Sequence, residues 1–339
     1  MNDGVPEKIL LIRLSSIGDI VLTTPLIRRL RALFPHAQID FVVKEAFAEL
    51  VRHHPALNTV YTLPARADFA SLRAMRAKLQ QQNYSAVLDL HKNFRSLYLA
   101  RGLGQGYKKR LQKYGFRRFL LVKTGWNLYK EIVPVYRRYL DVAAGLGIDD
   151  DGQGTELFWP DEAEAALPQF AVEFLHADSF VALAPGAGFA TKRWPVQRFA
   201  EVARAVIASG KRCCILGSQA EQELAAEIVR AEPGCSDFTG KLSLLQSAVI
   251  LSKAKRLVTN DSGLMHIAEA VGTPVVALFG STVRELGFAP TLEQSVIIEN
   301  NSIDCRPCSH VGRDTCPKGH FLCMNSLDVR QVLGALQGL

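Results

Sequence analysis

No stretch of this chain is apolar for long enough to cross a bilayer. The longest apolar runs, such as Ile9–Ile12 and Val275–Phe279, fall far short of the ~20 residues that a membrane helix needs. The amino-terminal KILLIRLSS places four apolar residues between charges. That is too short for the core of a signal peptide, so a cytoplasmic protein is expected. A G-x-x-x-x-G-K-S/T phosphate loop is also missing. Gly102, Gly104 and Gly106 imitate part of a dinucleotide fingerprint, but no convincing strand precedes them. The only Asp-x-Asp arrangement, Asp149 to Asp151, falls in a presumed linker. A metal-bridged diphosphate site is therefore not favoured, and no metal is expected in the active site. There is no short-period repeat and no low-complexity tract.

Cysteine is sparse, with seven residues. Cys213, Cys214 and Cys235 read as buried or incidental thiols. Cys305, Cys308, Cys316 and Cys323 form a C-x2-C-x7-C-x6-C pattern, and four cysteines can make a structural zinc site. The irregular spacing favours reduced thiols packing a loop, with His310 and His320 as weaker ligand candidates. Stable disulfides are not expected in a cytosolic protein.

What is present is an ordinary globular composition, 48% apolar and 22% charged. A chain of 339 residues exceeds one usual hydrophobic core, so two domains are expected. The net charge of +7 is unevenly placed. Residues 1–155 carry 24 Lys and Arg against 13 Asp and Glu, a net +11, whereas residues 156–339 carry 16 against 20, a net −4. A one-sided basic surface suits a polyanionic partner, and its alternative is an Arg-rich solvated surface.

Short apolar runs alternate with helical patterns. KILLIRL, QIDFVVK, YSAVLDL, FVALAPG, RCCILGS, RLVTN and PVVALFG are the strand candidates. Such alternation predicts parallel sheets covered on both faces. The acidic DDDGQGTELFWPDEAEA, residues 149–165, is the expected join. A last helix is expected over about residues 327–336. The basic, aromatic segment 107–130 reads as a surface helix of the first domain.

Ligands of an open parallel sheet bind beyond the strands' carboxyl ends. In the second half, ALAPGAGFATKRWP places Gly186 and Gly188 at a turn that can approach a ligand, then Lys192 as positive charge. RLVTNDSGLMHIAEAVG stops a strand with small polar residues and opens a helix at once. Asp261 or Ser262 can cap that helix, Gly263 keeps bulk away, and the free amides make an anion site for phosphate or diphosphate. His266, one turn in, adds a donor. LFGST is a third polar strand end. In the first half, RLSSIGD repeats the logic: Ser16 and Gly18 open a helix whose dipole favours an ionised Asp19, suited to accept a proton. Beyond another strand, Asp89, His91, Asn93 and Arg95 are placed to hold an anionic acceptor. For each stretch the alternative is plain helix capping or a polar loop.

The segments RLSSIGDIVLTTPLIRRLRALFP, APGAGFATKRWP, NDSGLMHIAEAVGTPVVALFGST and CRPCSHVGRDTCPKGHFLCM, in this order, resemble the bacterial ADP-heptose:lipopolysaccharide heptosyltransferases, glycosyltransferase family 9, and most closely the heptosyltransferase II branch. The resemblance implies an α/β GT-B fold, with two Rossmann-like parallel-sheet domains facing across a cleft. An acceptor domain would span 1–160 and a donor domain 161–325. A helix over 326–339 would pack back toward the first domain. It implies an inverting, metal-independent transfer of heptose from ADP-heptose to the lipopolysaccharide inner core, without a further cofactor, at the inner face of the inner membrane. Asp19 matches the proposed base. Lys192, Asp261, Ser262, Gly263 and His266 match donor-binding positions. Residues 60–150 match least, which leaves the acceptor open. The competing readings are another nucleotide-sugar enzyme on the same fold, such as an epimerase, and a nucleic-acid binder, for which no motif speaks.

Overall fold

The computed structural model describes residues 5–176 and 179–337. They divide into two compact units. The first runs to Lys113 and resumes over Val135–Pro160; the second takes in Tyr114–Pro134 and the chain from Asp161 onward.

The first unit is built on five strands: β1 (Lys8–Ile12), β2 (Gln38–Lys44), β3 (Thr59–Leu63), β4 (Ala86–Asp89) and β5 (Tyr107–Arg110). Their spatial order is β3-β2-β1-β4-β5, and every pair is parallel. The second unit has six: β6 (Phe180–Ala184), β7 (Arg212–Ile215), β8 (Ser236–Asp237), β9 (Arg256–Asn260), β10 (Val275–Phe279) and β11 (Val296–Glu299). Their order is β11-β10-β9-β6-β7-β8, again parallel throughout. Both are doubly wound Rossmann-like sheets, the parallel α/β class of the GT-B fold expected from the sequence. The central strands are the apolar runs. Ile9 to Ile12, Phe180 to Ala184 and Val275 to Phe279 are buried on both faces, as parallel strands under two helical layers must be.

The order of strands fixes where a ligand can sit. In the first unit the winding reverses between β1 and β4, and in the second between β6 and β9. Connections leaving two such strands go to opposite faces, which opens a crevice at their carboxyl ends. The loops that follow β1, β4, β6 and β9 are the ones that carry Asp19, His91, Lys192 and Asp261.

Three segments differ from expectation. Of the basic stretch 107–130 only residues 107–113, with β5, lie in the first unit. Helix Gly115–Thr124 belongs to the second, where Leu121 is buried against Val283 and Leu286. The acidic stretch 149–165 does contain the join, between Pro160 and Asp161, but its first part is no loose linker, because arginines of the first unit hold it. Arg28 pairs with Asp151 and with Glu156, each at 2.8 Å, and Arg29 pairs with Asp149. The carboxyl-terminal helix, Val329–Ala335, expected to pack toward the first domain, lies on the core of the second. Val332 and Leu336 join the apolar cluster around Val202 and Val206 of helix Val196–Ala208. Trp194, buried in the same cluster, donates its indole N–H to the Leu327 carbonyl at 3.2 Å.

Candidate active site

At the first unit's switch point the chain leaves β1 through Arg13, turns at Ser15 and Ser16, and enters the short helix Ile17–Val21. Ser16 is its N-cap and Asp19 its third residue. The Ser16 hydroxyl and backbone N–H donate to Asp19 Oδ2 at 2.9 and 3.3 Å. The stronger partner is Arg13, whose Nη2 stands 2.6 Å from the same oxygen. Arg13 is itself fixed by bonds to the carbonyls of Ser15 and Leu90, at 2.8 and 2.6 Å. Tyr139, from helix Val135–Leu140, donates its hydroxyl to Asp19 Oδ1 at 3.0 Å. Burial alone would push the Asp19 pKa up. Arg13, the Ser16 bonds and Tyr139 outweigh it and hold the carboxyl below its ordinary value. The Asp19 side chain stays 18% exposed, enough for a substrate atom to reach it.

His91 follows β4 in the same crevice. Burial, then the positive charges of Arg13 and Lys113, push its pKa down to about 4, so near neutral pH the ring is uncharged. Its Nδ1 is buried and has no hydrogen-bond partner among the described residues. An orphaned buried ring nitrogen is costly until a ligand satisfies it. The other acceptor candidates separate. Asn93 caps helix Phe94–Ala100, its Oδ1 accepting from the Ser96 N–H at 2.8 Å. Arg95 is exposed on that helix. Asp89 pairs with Arg110 at 2.8 Å and accepts from the backbone of His91 and Lys92, so it shapes the turn. Gly18 is buried within the Asp19 helix, and Ser16 is exposed beside it.

At the second unit's switch point Lys192 closes a 3-10 turn after β6, and its Nζ stands 2.7 Å from Asp261 Oδ2. The Thr282 hydroxyl donates to the same oxygen at 2.7 Å, which brings the LFGST turn after β10 to the site. Asn260 ties the strand ends together: it accepts from the Trp194 N–H at 3.0 Å and donates to the Pro185 carbonyl at 2.7 Å. Helix Gly263–Ala270 begins at Ser262, and neither Ser262 nor Asp261 caps it through a side chain. Asp261 is committed to Lys192 and Thr282, while the Ser262 hydroxyl meets that of Thr259 at 3.2 Å. Its leading amides carry no side-chain cap, the arrangement that suits an anion. His266 is buried, edge-on to Phe288 with ring centres 6.1 Å apart.

Of the two glycines, Gly186 has a packing reason of its own. A Cβ on Gly186 would meet the Glu221 side chain at 2.4 Å, and Gly188 has open space. Gly186 therefore makes room for Glu221. The cysteine segment, by contrast, reaches the site. Arg306, between Cys305 and Cys308, donates to the carbonyls of Phe279 and Thr282 at 3.1 and 3.0 Å and pairs with buried Glu299 at 2.9 Å. The Arg313 N–H donates to the Thr191 hydroxyl at 2.8 Å, next to Lys192. Both turns that flank Asp261 are thus braced from residues 305–313. The four thiols and His320 line one small cavity of about 10 Å³. Among the described residues no three His, Cys, Asp or Glu side chains are grouped to hold a metal ion.

Arg13, Tyr139, Thr282 and Arg306 are the site residues that sequence reasoning missed. Arg13 and Thr282 sit inside segments already singled out and were readable as flanking charge and hydroxyl. Tyr139 lies 120 residues from Asp19 and had no local signal.

One consequence can be measured. The Tyr139 hydrogen bond lowers the Asp19 pKa, so Tyr139→Phe raises it. If Asp19 must be ionised to act, the acidic limb of the kcat/KM profile moves to higher pH. An acidic limb that stays in place in a folded Tyr139→Phe variant excludes Asp19 as the titrating group.

Comparison with known proteins identifies the family. The chain is 29% identical over 301 residues to lipopolysaccharide heptosyltransferase 2 of Escherichia coli K12, covering 84% of this chain and 85% of the relative. The solved E. coli ADP-heptose lps heptosyltransferase II superposes with a TM-score of 0.69 at 25% identity, over 96% of this chain and 99% of that one. A glycosyl transferase family 9 structure from Veillonella parvula gives a TM-score of 0.79 at 23% identity, over 98% and 96%. The sequence profile of Glycosyltransferase family 9 (heptosyltransferase) matches residues 72–318, well over half the chain, and the chain belongs to that family.

Proposed function

We propose that the protein transfers a heptose from ADP-heptose to the inner core of lipopolysaccharide, with inversion and without a metal. The supporting observation is the pairing of two switch-point sites in one chain, one holding an ionised carboxylate and the other a lysine beside uncapped helix amides. The names of its relatives supply the sugar and the acceptor.

The second unit binds the donor. Lys192 and the amides at Ser262 and Gly263 take the diphosphate, Asp261 aims Lys192, and His266 adds a donor. The first unit binds the acceptor through Ser16, Gly18 and the open Nδ1 of His91, with Arg95 as a charge for its phosphates. Asn93 contributes by fixing the helix that carries Arg95. The acceptor hydroxyl oxygen attacks the anomeric carbon, the bond from that carbon to the diphosphate oxygen breaks, ADP leaves, and the hydroxyl proton passes to Asp19. Arg13 keeps Asp19 ionised but makes it a weak base. Proton transfer becomes favourable only as the new C–O bond forms and acidifies the oxygen. Preorganised positive charge stabilises the leaving diphosphate without a divalent ion. A single displacement inverts the configuration.

Nuclear magnetic resonance of the product decides this. Opposite anomeric configuration to the donor, formed at an undiminished rate in excess EDTA, is expected. Retained configuration removes the single displacement, and loss of turnover restored by a divalent cation removes metal independence. The protein would work at the inner face of the inner membrane, where its acceptor is embedded. No described helix is long and apolar enough to cross a membrane, so contact with the bilayer would be peripheral.

A further inference from the structure

The segment 114–132 of the second unit presents apolar side chains to solvent that no catalytic role explains. Phe116 is 71% exposed, Phe119 57%, Trp126 69%, Leu128 44% and Ile132 47%. Single exposed apolar residues are ordinary, but a cluster on one element marks an interaction surface. The segment is held in a definite conformation. Helix Gly115–Thr124 ends at Gly125 in the left-handed conformation, with φ +76°. Leu121 pins its inner side to Val283, Leu286, Tyr129 and Phe288, and the Asn127 amide donates to Glu285 at 3.1 Å. The Trp126 backbone N–H donates to the Thr124 hydroxyl at 3.2 Å, which fixes the main chain at the end of the helix. At about 100° per residue, Phe116, Phe119 and Lys123 fall in one wedge of roughly 60° opposite Leu121. The outward face is therefore aromatic with a lysine at its edge.

The segment's own charge is mainly positive, four Lys and Arg over residues 114–132 against the single exposed Glu131. The four are Arg117, Arg118, Lys123 and Lys130. Aromatic rings favour the headgroup level of a bilayer, and lysine and arginine there meet anionic lipid while their stems lie along apolar surface.

We propose that helix Gly115–Thr124 and the following residues to Ile132 dock the enzyme on an anionic lipid bilayer, with Phe116, Phe119 and Trp126 entering the headgroup region and Lys123 and Lys130 pairing with lipid phosphates. This rests on the reading that the acceptor is a membrane lipid. The element packs on residues 283–288, directly after the Thr282 turn of the donor site, so docking would set the donor-binding unit beside the bilayer.

The test is co-sedimentation of the purified protein with vesicles of phosphatidylglycerol and phosphatidylcholine, compared with phosphatidylcholine alone. Binding to the anionic vesicles at least tenfold tighter, and largely lost near 1 M salt where screening acts within ~3 Å, is expected. F116S/F119S/W126S and, separately, K123E/K130E should each weaken it at least tenfold, with unchanged melting temperature and unchanged transfer to a deacylated, water-soluble acceptor. Undiminished vesicle binding in both variants overturns the inference. So does equal binding to neutral vesicles. Wild type that sediments with neither vesicle, but binds an oligonucleotide or pairs with itself through these residues in ultracentrifugation, also overturns it. Transfer to the soluble acceptor reports on the function separately. Its absence in the wild type contradicts the proposed reaction, whereas vesicle binding alone decides the docking surface.

Discussion

Asp19→Asn lowers kcat for sugar transfer by about 10²- to 10⁴-fold, the usual contribution of a positioned base, while ADP binds with its wild-type affinity. The substitution keeps the shape of the side chain and one carbonyl oxygen. That oxygen can still accept from Arg13 Nη2 or from the Tyr139 hydroxyl, so the variant is expected to fold. A larger residue or alanine would be a poorer probe, because Arg13 is itself only 8% exposed in its side chain. A buried charge left without a partner costs several kcal/mol, and instability would then obscure the chemistry. Retained turnover in a folded Asp19→Asn variant removes Asp19 as the base. Weakened ADP affinity would show that the substitution disturbs more than proton transfer.

Lys192→Ala acts on the other substrate. Loss of one charge-assisted bond to a diphosphate costs about 1.5–3 kcal/mol, or roughly 10- to 150-fold in the Kd for ADP. The geometry adds a second effect of the same sign. Lys192 is 2.7 Å from Asp261, whose side chain is only 9% exposed. Without the lysine, that carboxylate keeps its bond from the Thr282 hydroxyl and repels the incoming phosphate. Adding Asp261→Asn to Lys192→Ala should therefore recover part of the lost affinity, although Asp261 counts among the donor-site residues. Titration calorimetry of the two single variants and the double variant measures this coupling. Unchanged ADP affinity in Lys192→Ala argues against its role, and a double variant weaker than either single one argues against the charge explanation.

The parts of the fold that could be read from the sequence are the parts that are buried. β1, β2, β4, β6, β7, β9 and β10 all correspond to apolar runs. The four strands not picked out from the sequence are β3, β5, β8 and β11, and these are the four sheet edges. An edge strand is covered less and carries charge that discourages pairing with another chain. β5, YKKR, is the extreme case, with three exposed basic residues. Its charges look like a surface helix until the parallel pairing with β4 is seen. Helix Gly115–Thr124 was misplaced for a related reason. Sequence order puts it in the first half, and only the burial of Leu121 among Val283 and Leu286 assigns it to the second unit.

The candidate site was legible where chemistry and chain order coincide. Asp19, Lys192 and the Asp261–Gly263 turn each follow a strand within a few residues, so local pattern sufficed. Their partners come from afar. Tyr139 meets Asp19 through a helix with no polar motif, and Arg306 braces the Thr282 turn from within a segment whose cysteines drew the attention. Asn93 shows the converse. Its position beyond β4 suggested a ligand, and its side chain instead closes a capping box with Ser96.

The most direct test mixes purified protein, ADP-heptose and a deacylated inner-core oligosaccharide, and follows the acceptor by mass spectrometry and ADP by chromatography. The acceptor should gain the mass of one heptose for each ADP released, and Asp19→Asn should slow both together to the same extent. An acceptor of unchanged mass beside an isomerised or hydrolysed sugar nucleotide would contradict heptosyl transfer by this chain.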